Sequence, residues 1–304
     1  MRAVDLLTEL EPVVAQNLDR HLRVAQEWMP HGYIPWEQGR SYTERPWEPE
    51  QSPFAPEVRA ALEINLLTED NLPSYHHEIA VRFGREGAWG TWVHRWTAEE
   101  GRHAMAIRDY LLVTRGVDPD DLERQRMATM ATGYDAGDKT VARSIAYVTL
   151  QELATRVSHR NTGHKTVDPR AEALLARVAT DENLHMVFYR SLVSAALEID
   201  PSAMVKAICH EAAAFQMPGT VIPGYRRKAI AIARSGIYNL GVHLDDVLQP
   251  LLRHWKFFDL TGLDGEAERS REALADGMER LRTDADRQAT RFAEHAQRQQ
   301  VGAR

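Results

Sequence analysis

Apolar residues recur at intervals of three and four over most of the chain, a spacing that lines them along one face of an α-helix. The pattern predicts helices over residues 56–84, 88–115, 139–162, 169–199, 202–215, 223–236 and 243–256. Residues 264–300 have helical composition but few apolar positions, which predicts a surface helix. Pro73 interrupts the first segment and predicts a kink or a local break there.

Runs of β-branched residues bounded by turn residues, which would predict strands, are nearly absent. The chain is therefore predicted to be all-α. Residues 29–55 form the one long irregular segment and are expected to lie across the surface of a helix bundle. Because no domain boundary is visible, we predict a single domain over residues 1–304. It would comprise a bundle at about 56–200, additional helices at 202–263 and the surface helix at about 264–300.

Composition narrows the functional classes. Hydrophobic residues make up 43% of the 304 residues, and the net charge of -7 comes without a long basic run, which argues against nucleic-acid binding. No window approaches the ~20 apolar residues of a membrane span. The single cysteine, Cys209, is expected to be a small core residue. With no signal-peptide pattern at the N-terminus, the expected location is cytoplasmic.

Two predicted helices each carry a glutamate followed three residues later by a histidine. The pairs are Glu100 with His103 and Glu182 with His185. Residues three apart lie on the same helix face, so each pair directs a carboxylate and an imidazole toward one point. The neighbouring positions on both faces are apolar, where an unpaired carboxylate is costly. A metal ion is one way to supply the missing positive charge.

The helix before each pair carries a further acid on a largely apolar face. Glu69 precedes Glu100 by 31 residues, and Glu152 precedes Glu182 by 30. Two antiparallel helix pairs with this spacing bring four carboxylates and two imidazoles to one level of a four-helix bundle. Dinuclear iron and manganese carboxylate bundles use this ligand set. We therefore predict a ferritin-like di-iron four-helix bundle with additional packed helices.

Each feature taken singly has an ordinary explanation. A Glu-x-x-His pair is more often solvated than metal-bound, and a buried glutamate more often pairs with arginine. It is the matched spacing of all six residues in two halves of the chain that favours a dinuclear metal site. Two iron ions are the expected cofactor, although recombinant protein could carry another metal because affinity order does not favour iron.

Several longer segments resemble the soluble acyl-[acyl-carrier-protein] desaturases, the stearoyl-ACP desaturase family, in its actinobacterial branch (ACP is acyl carrier protein). The similarity covers residues 5 to 295, and its anchors are EWMPHGYIP, LLTEDNLPSY, WTAEEGRHAMAIRDYL, LQELATRVSHRNT, DENLHMVFY and HWKFFDLTGL. The resemblance implies terminal carboxylates at Glu69 and Glu152. It also implies bridging carboxylates at Glu100 and Glu182, with terminal imidazoles at His103 and His185.

The resemblance assigns roles to three more residues. Thr155 matches a threonine near the position of dioxygen. Asp181 matches an acid that pairs with the histidine equivalent to His103, an arrangement expected around metal-bound imidazoles. Trp28 matches a tryptophan at the surface end of that chain, where electrons are proposed to reach the metals.

The implied activity is O2-dependent desaturation of an ACP-bound acyl chain to a cis-alkene. The implied partners are ACP, a ferredoxin-type electron donor and a second copy of the chain in a homodimer. Trp96 and Val148 are plausible walls of the acyl channel, and Arg226, Arg227 and Lys228 are a candidate patch for the acidic carrier. Three alternatives stay open: a di-iron oxygenase that hydroxylates or N-oxygenates a small molecule, ferritin-like iron storage, and a metal-binding desaturase homologue without desaturase activity.

Overall fold

The computed structural model describes residues 5–217 and 219–302, and within them the chain is helical with no β-strand. The α-helices in chain order are α1 (Leu6–Val24), α2 (Pro56–Asp70), α3 (Leu72–Phe83), α4 (Gly87–Val113), α5 (Pro119–Thr132), α6 (Val141–Lys165), α7 (Pro169–Ile199), α8 (Pro201–Ala213), α9 (Tyr225–Ser235), α10 (Leu240–Val242), α11 (Gln249–His254) and α12 (Gly265–Gly302). A π-helical segment, His243–Leu248, joins α10 to α11. The prediction of an all-α chain is confirmed.

The helix boundaries follow the local sequence signals. The first predicted segment divides at Asn71, and Pro73 lies in the first turn of α3, where its missing N–H is not needed. The predicted break is therefore confirmed. Asp168 caps α7 by accepting a hydrogen bond from the backbone N–H of Arg170. Helices α1 and α5 were absent from the sequence prediction.

Four helices, α2, α4, α6 and α7, form the bundle that carries the candidate site. A connection of only three residues, 166–168, joins α6 to α7, so the two helices run antiparallel and pack along their length. Helix α1 covers α4 and α7, α9 covers α2, and α8 lies between α6 and α12. Among the described residues, no helix is both long enough and apolar enough to cross a lipid bilayer.

The bundle core consists of two apolar clusters with a polar layer between them. Along α4, Trp92 and Trp96 belong to the first cluster, whereas Ala104 and Ile107 belong to the second. Helix α7 makes the same change between Val178 and Met186. On both helices the change occurs where the sequence carries its Glu-x-x-His pair. The core is therefore interrupted at one level, and the interruption is where charge is concentrated.

The segment between α1 and α2 crosses the bundle surface as short 3-10 turns, and Trp28, Ile34 and Phe54 anchor it in the core. Cys209 is buried, as predicted. The expected basic patch at the start of α9 is only partly correct, because Lys228 is buried. Its Nζ lies 2.6 Å from a carboxylate oxygen of Glu63 on α2. Arg226 and Arg227 are exposed, so only these two remain available for a partner.

Candidate metal centre

The six predicted ligands lie together in the polar layer. Glu69 comes from α2, Glu100 and His103 from α4, Glu152 from α6, and Glu182 and His185 from α7. All six are buried, and the two imidazoles have no exposed surface. The side chains therefore meet inside the bundle, out of reach of bulk water.

The six residues form two overlapping groups, each with ligand atoms within 4.8 Å of one another. One group contains Glu69 and His103, and the other contains Glu152 and His185. Glu100 and Glu182 belong to both groups. Two ligand sets that share two carboxylates form an arrangement that would hold a pair of cations.

The ligand atoms that face the centre contact one another. Nδ1 of His185 lies 2.8 Å from Oε1 of Glu100, and Nδ1 of His103 lies 3.2 Å from Oε1 of Glu182. Carboxylate oxygens and imidazole nitrogens that converge on one buried point are the ligand types that iron and related metals take in proteins. Both the types of the ligand atoms and their positions therefore fit a metal site.

Proton affinities in the metal-free cluster also indicate crowded like charges. Burial raises the pKa of Glu182 well above its ordinary value, and repulsion from Glu100 and Glu69 raises it further. Burial alone would lower the pKa of both histidines, but the surrounding carboxylates raise it well above the ordinary imidazole value. Metal binding would therefore release protons.

The outer nitrogen of each histidine faces an acid from the opposite helix. Nε2 of His103 on α4 lies 3.5 Å from Oδ2 of Asp181 on α7. Nε2 of His185 on α7 lies 2.9 Å from Oε2 of Glu99 on α4. An acid in this position orients the imidazole and directs Nδ1 toward the centre. Asp181 thus lies against His103, and Glu99 has the equivalent position against His185.

Sequence reasoning missed Glu99, although a signal was present. Glu99 directly precedes Glu100, as Asp181 directly precedes Glu182. Helices α4 and α7 therefore carry the same acid-Glu-x-x-His pattern. Glu99 was also overlooked because an acid four residues after an arginine is commonly a salt-bridge partner, and Glu99 does pair with Arg95.

His21 of α1 completes the surroundings of Glu99. Its Nε2 lies 2.9 Å from Oε2 of Glu99, the oxygen that also contacts His185. Burial alone would raise the pKa of Glu99, but its hydrogen bonds with the two histidines lower it strongly. His21, Glu99 and His185 are close enough to hold an ion. However, the carboxylate is already engaged by two imidazoles and Arg95, so we interpret the group as support for His185.

Trp28 extends the Asp181 side toward the surface. Its indole Nε1 donates a 2.8 Å hydrogen bond to Oδ2 of Asp181. The guanidinium groups of Arg102 and Arg177 lie over its ring, 5.0 and 5.8 Å from the centroid. The indole is 7% exposed, so Trp28, Asp181 and His103 form a continuous connection from near the surface to the centre.

The two terminal carboxylates have different supports. Oε1 of Glu69 lies 2.8 Å from Nε2 of His159, which the sequence analysis did not assign to the site. Oε1 of Glu152 accepts a 3.1 Å hydrogen bond from Nε1 of Trp96. The two ends of the cluster therefore differ chemically, with an imidazole at one end and an indole at the other.

Thr155 is buried one turn after Glu152, on α6. Its hydroxyl donates a 2.8 Å hydrogen bond to the backbone carbonyl of Gln151 and lies 3.1 Å from the Gln151 amide nitrogen. This is the common back-bonded arrangement of a helical threonine. The side chain nevertheless borders a cavity next to Glu69.

Two narrow cavities adjoin the cluster, and both are lined by Thr68 and Glu69. The inner cavity has a volume of about 50 Å³ and the outer cavity about 80 Å³. Trp96 and Val148, which were expected to form channel walls, line the inner cavity together with Ile79, Phe83 and Tyr147. The outer cavity reaches α9 and is lined by Ile64, Tyr225, Ala229 and Ile232. Largely apolar space therefore lies on both sides of Glu69.

Comparison with known proteins places this bundle in a family. Residues 2–303 match the fatty acid desaturase family. DesA1 of Mycobacterium tuberculosis H37Rv, which is named as an acyl-ACP desaturase, is 46% identical over 283 residues. The match covers 90% of this chain and 84% of DesA1. The chloroplastic stearoyl-ACP 9-desaturase 6 of Arabidopsis thaliana is 30% identical over 299 residues, covering 88% of this chain and 75% of the plant protein.

A crystal structure supports the same relationship. The X-ray structure of DesA2 from M. tuberculosis H37Rv, also named as an acyl-ACP desaturase, aligns with a TM-score of 0.73 at 30% identity. The alignment covers 88% of this chain and 99% of DesA2. The chain belongs to the fatty acid desaturase family, as its sequence predicted, and its fold is that of a ferritin-like bundle with additional helices.

Proposed function

We propose that the protein is an O2-dependent acyl-ACP desaturase that introduces a cis double bond into a carrier-bound fatty acyl chain. The observation that carries the proposal is the position of the six-residue cluster beside the two apolar cavities. Glu69 belongs to the cluster and lines both cavities. An alkyl chain that occupied them would therefore pass directly beside the centre. Names given to the relatives support the carrier-bound substrate.

We assign the site to two iron ions. Glu69, Glu100, His103 and Glu182 would hold one ion, and Glu100, Glu152, Glu182 and His185 the other. When bound, the iron pair would supply O2 activation and the oxidation of unactivated C–H bonds. The protein positions the acyl chain and excludes water from the centre. Position decides which methylenes react, because the methylenes of an alkyl chain are nearly alike.

The residues around the centre have separate tasks. Asp181 and Glu99 fix the ring orientation of the two histidines. Val148 and Trp96 limit how the acyl chain can lie next to the cluster. The Thr155 hydroxyl borders the outer cavity, where it could turn from Gln151 to donate a hydrogen bond into the space beside Glu69. Each of these side chains positions another group. Conservative substitutions should therefore change substrate selectivity or metal affinity more than they change the stability of the fold.

The reaction requires a reductant. Dioxygen takes up four electrons and four protons on conversion to two waters, and removal of two hydrogens from adjacent methylenes supplies two of each. Two electrons and two protons must come from elsewhere. We therefore retain a ferredoxin-type donor as a partner. We also retain ACP, as the carrier of the acyl chain. We also retain the homodimer as a proposal, to be checked by sedimentation velocity.

One assay tests the proposed function. Iron-reconstituted protein is given acyl-ACP, ferredoxin, ferredoxin reductase and O2, and the released acyl products are analysed by mass spectrometry. A cis-alkene is the expected product. A hydroxylated acyl chain would instead support an oxygenase. Iron oxidation with no change in the acyl chain would contradict desaturase activity.

A further inference from the structure

A basic groove lies on the outer face of α6 and α7, away from the two cavities. Arg156, Arg160 and His164 of α6 and Arg190 of α7 line it, and we call these four residues the basic groove. Its volume is about 580 Å³. The other wall is formed by α11 and the π-helical segment, which contribute Asp246 as the one acid among the lining residues.

The arginines of the basic groove have no carboxylate within ion-pair distance in the part of the chain that the structure describes. Among the described residues, the buried Nε of Arg190 also has no hydrogen-bond partner. Arg160 repels Arg156, which Asp246 attracts from the opposite wall, and Arg20 of α1 repels Arg190. In a chain with a net charge of -7, such a concentration of unpaired positive charge indicates an acidic partner.

The floor of the basic groove consists of residues that are adjacent in sequence to proposed metal ligands. Leu153, Asn183 and Met186 line it, and each directly follows a proposed ligand in sequence. Leu153 and Met186 are buried, so they separate the groove from the cluster by a single layer of side chains. A protein seated here would lie close to the centre without contacting it.

This inference rests on the proposed function, which needs two electrons from outside. The ligands are buried, so a hydride donor cannot touch the centre, and a carrier must deliver electrons from the surface. We propose that the basic groove is the docking surface for a small acidic protein that carries one electron at a time. Two successive encounters would supply the two electrons, and each would leave the carrier oxidised by one.

Two alternatives fit the groove less well. The groove shares no lining residue with either apolar cavity, so an acyl chain held there would have no path to the centre. The surface around Trp28 is also basic, but Arg102 and Arg177 are both paired with Asp181. The basic groove therefore has more uncompensated charge to offer an acidic partner.

The test is a binding measurement with a plant-type [2Fe–2S] ferredoxin as the probe. We expect the variant Arg156→Gln/Arg160→Gln to bind it at least ~10-fold more weakly than wild type at low salt, with a smaller difference at high salt. The matched control is Arg280→Gln/Arg291→Gln, which removes two exposed charges from α12 and should bind normally. Titration calorimetry on iron-loaded proteins gives the affinities, and thermal melts check that each variant is folded.

Affinity for acyl-ACP is measured on the same variants and should not change. Three results would overturn the proposal: undiminished ferredoxin affinity in the groove variant, a loss confined to acyl-ACP, or no ferredoxin binding by wild type. Because binding is measured without turnover, it is separable from the proposed function. A wild type that binds ferredoxin through the groove but forms no alkene would refute the function and leave the docking surface standing.

Discussion

Glu99 of α4 holds His185 of α7, with 2.9 Å between Oε2 and Nε2. The converse contact joins Asp181 of α7 to His103 of α4. Each helix thus carries the acid that orients the other helix's imidazole. This reciprocity follows from one sequence pattern, because in both helices the acid directly precedes the glutamate of the Glu-x-x-His pair. The pattern couples helix packing to the geometry of the centre.

We predict that Glu99→Gln and Asp181→Asn each weaken metal binding by about 10- to 100-fold, because an oriented imidazole is lost in both. The amides preserve side-chain size, so the fold should survive. Competition with a chromophoric chelator measures the affinity. Glu123→Gln, at an exposed position of α5, is the control. Wild-type affinity in both site variants would show that the two acids do not orient the histidines.

Val148→Phe should change which acyl chains the enzyme accepts. The larger ring projects into the inner cavity, so kcat/KM for the longest accepted chain should fall by more than about 10-fold, while shorter chains lose less. Val167→Phe, at an exposed site, is the control. Competition assays with mixed acyl-ACP substrates give the ratio. An equal loss for all chain lengths would argue against this cavity as the acyl channel.

The ion pair between Lys228 and Glu63 should contribute to stability. Lys228→Ala leaves the half-buried Glu63 carboxylate without its partner and removes a hydrogen bond to Gln125, so we expect a loss of about 2 kcal/mol. Arg227→Ala, one residue away and exposed, should change the free energy of unfolding little. Urea denaturation measures both. If the two variants lose equal stability, the buried pair is not the cause.

His243 should make stability depend on pH. Burial lowers its pKa to about 4 from the ordinary 6.5, and Nδ1 lies 2.8 Å from the Tyr238 hydroxyl. Below pH 6.5 His243 therefore binds a proton in the unfolded chain, whereas in the folded chain it stays neutral down to about pH 4. The contribution of neutral His243 to the free energy of unfolding is complete above pH 6.5 and is lost as the pH falls from 6.5 to 4. At pH 5 the loss is about 2 kcal/mol.

The matched variant is His243→Gln, which does not titrate. Between pH 7.5 and pH 5, wild type should lose about 2 kcal/mol more free energy of unfolding than the variant. Urea denaturation of the metal-free proteins at both pH values gives the comparison. Identical pH dependence in the two proteins would mean that His243 is protonated in the folded state.

The long helices of the bundle could be predicted because helix-forming segments are bounded by proline, glycine or aspartate. Helix α5 was missed because its face is largely polar and buries only Leu122 and Thr129. Lys228 was misjudged for a related reason. Its neighbours Arg226 and Arg227 suggested an exposed basic patch, and the partners that bury it come from α2 and α5, which local sequence does not reveal.

The position of the six candidate ligands followed from helix periodicity, since Glu-x-x-His spacing fixes a face and the 30- to 31-residue separations fix a level. The supporting residues did not follow in the same way. His21 reaches the cluster from α1, whose packing against α4 and α7 depends on the whole core, and His159 of α6 contacts Glu69 across the gap between α6 and α2. The basic groove is likewise a product of tertiary structure, because α6, α7 and α11 each contribute only part of it.

The most direct test is anomalous diffraction at the iron absorption edge from crystals of iron-loaded protein. The account predicts two peaks inside the bundle, one beside Glu69 and His103 and the other beside Glu152 and His185, with Glu100 and Glu182 between them. A single peak at His21, Glu99 and His185, or no peak among the six side chains, would contradict it.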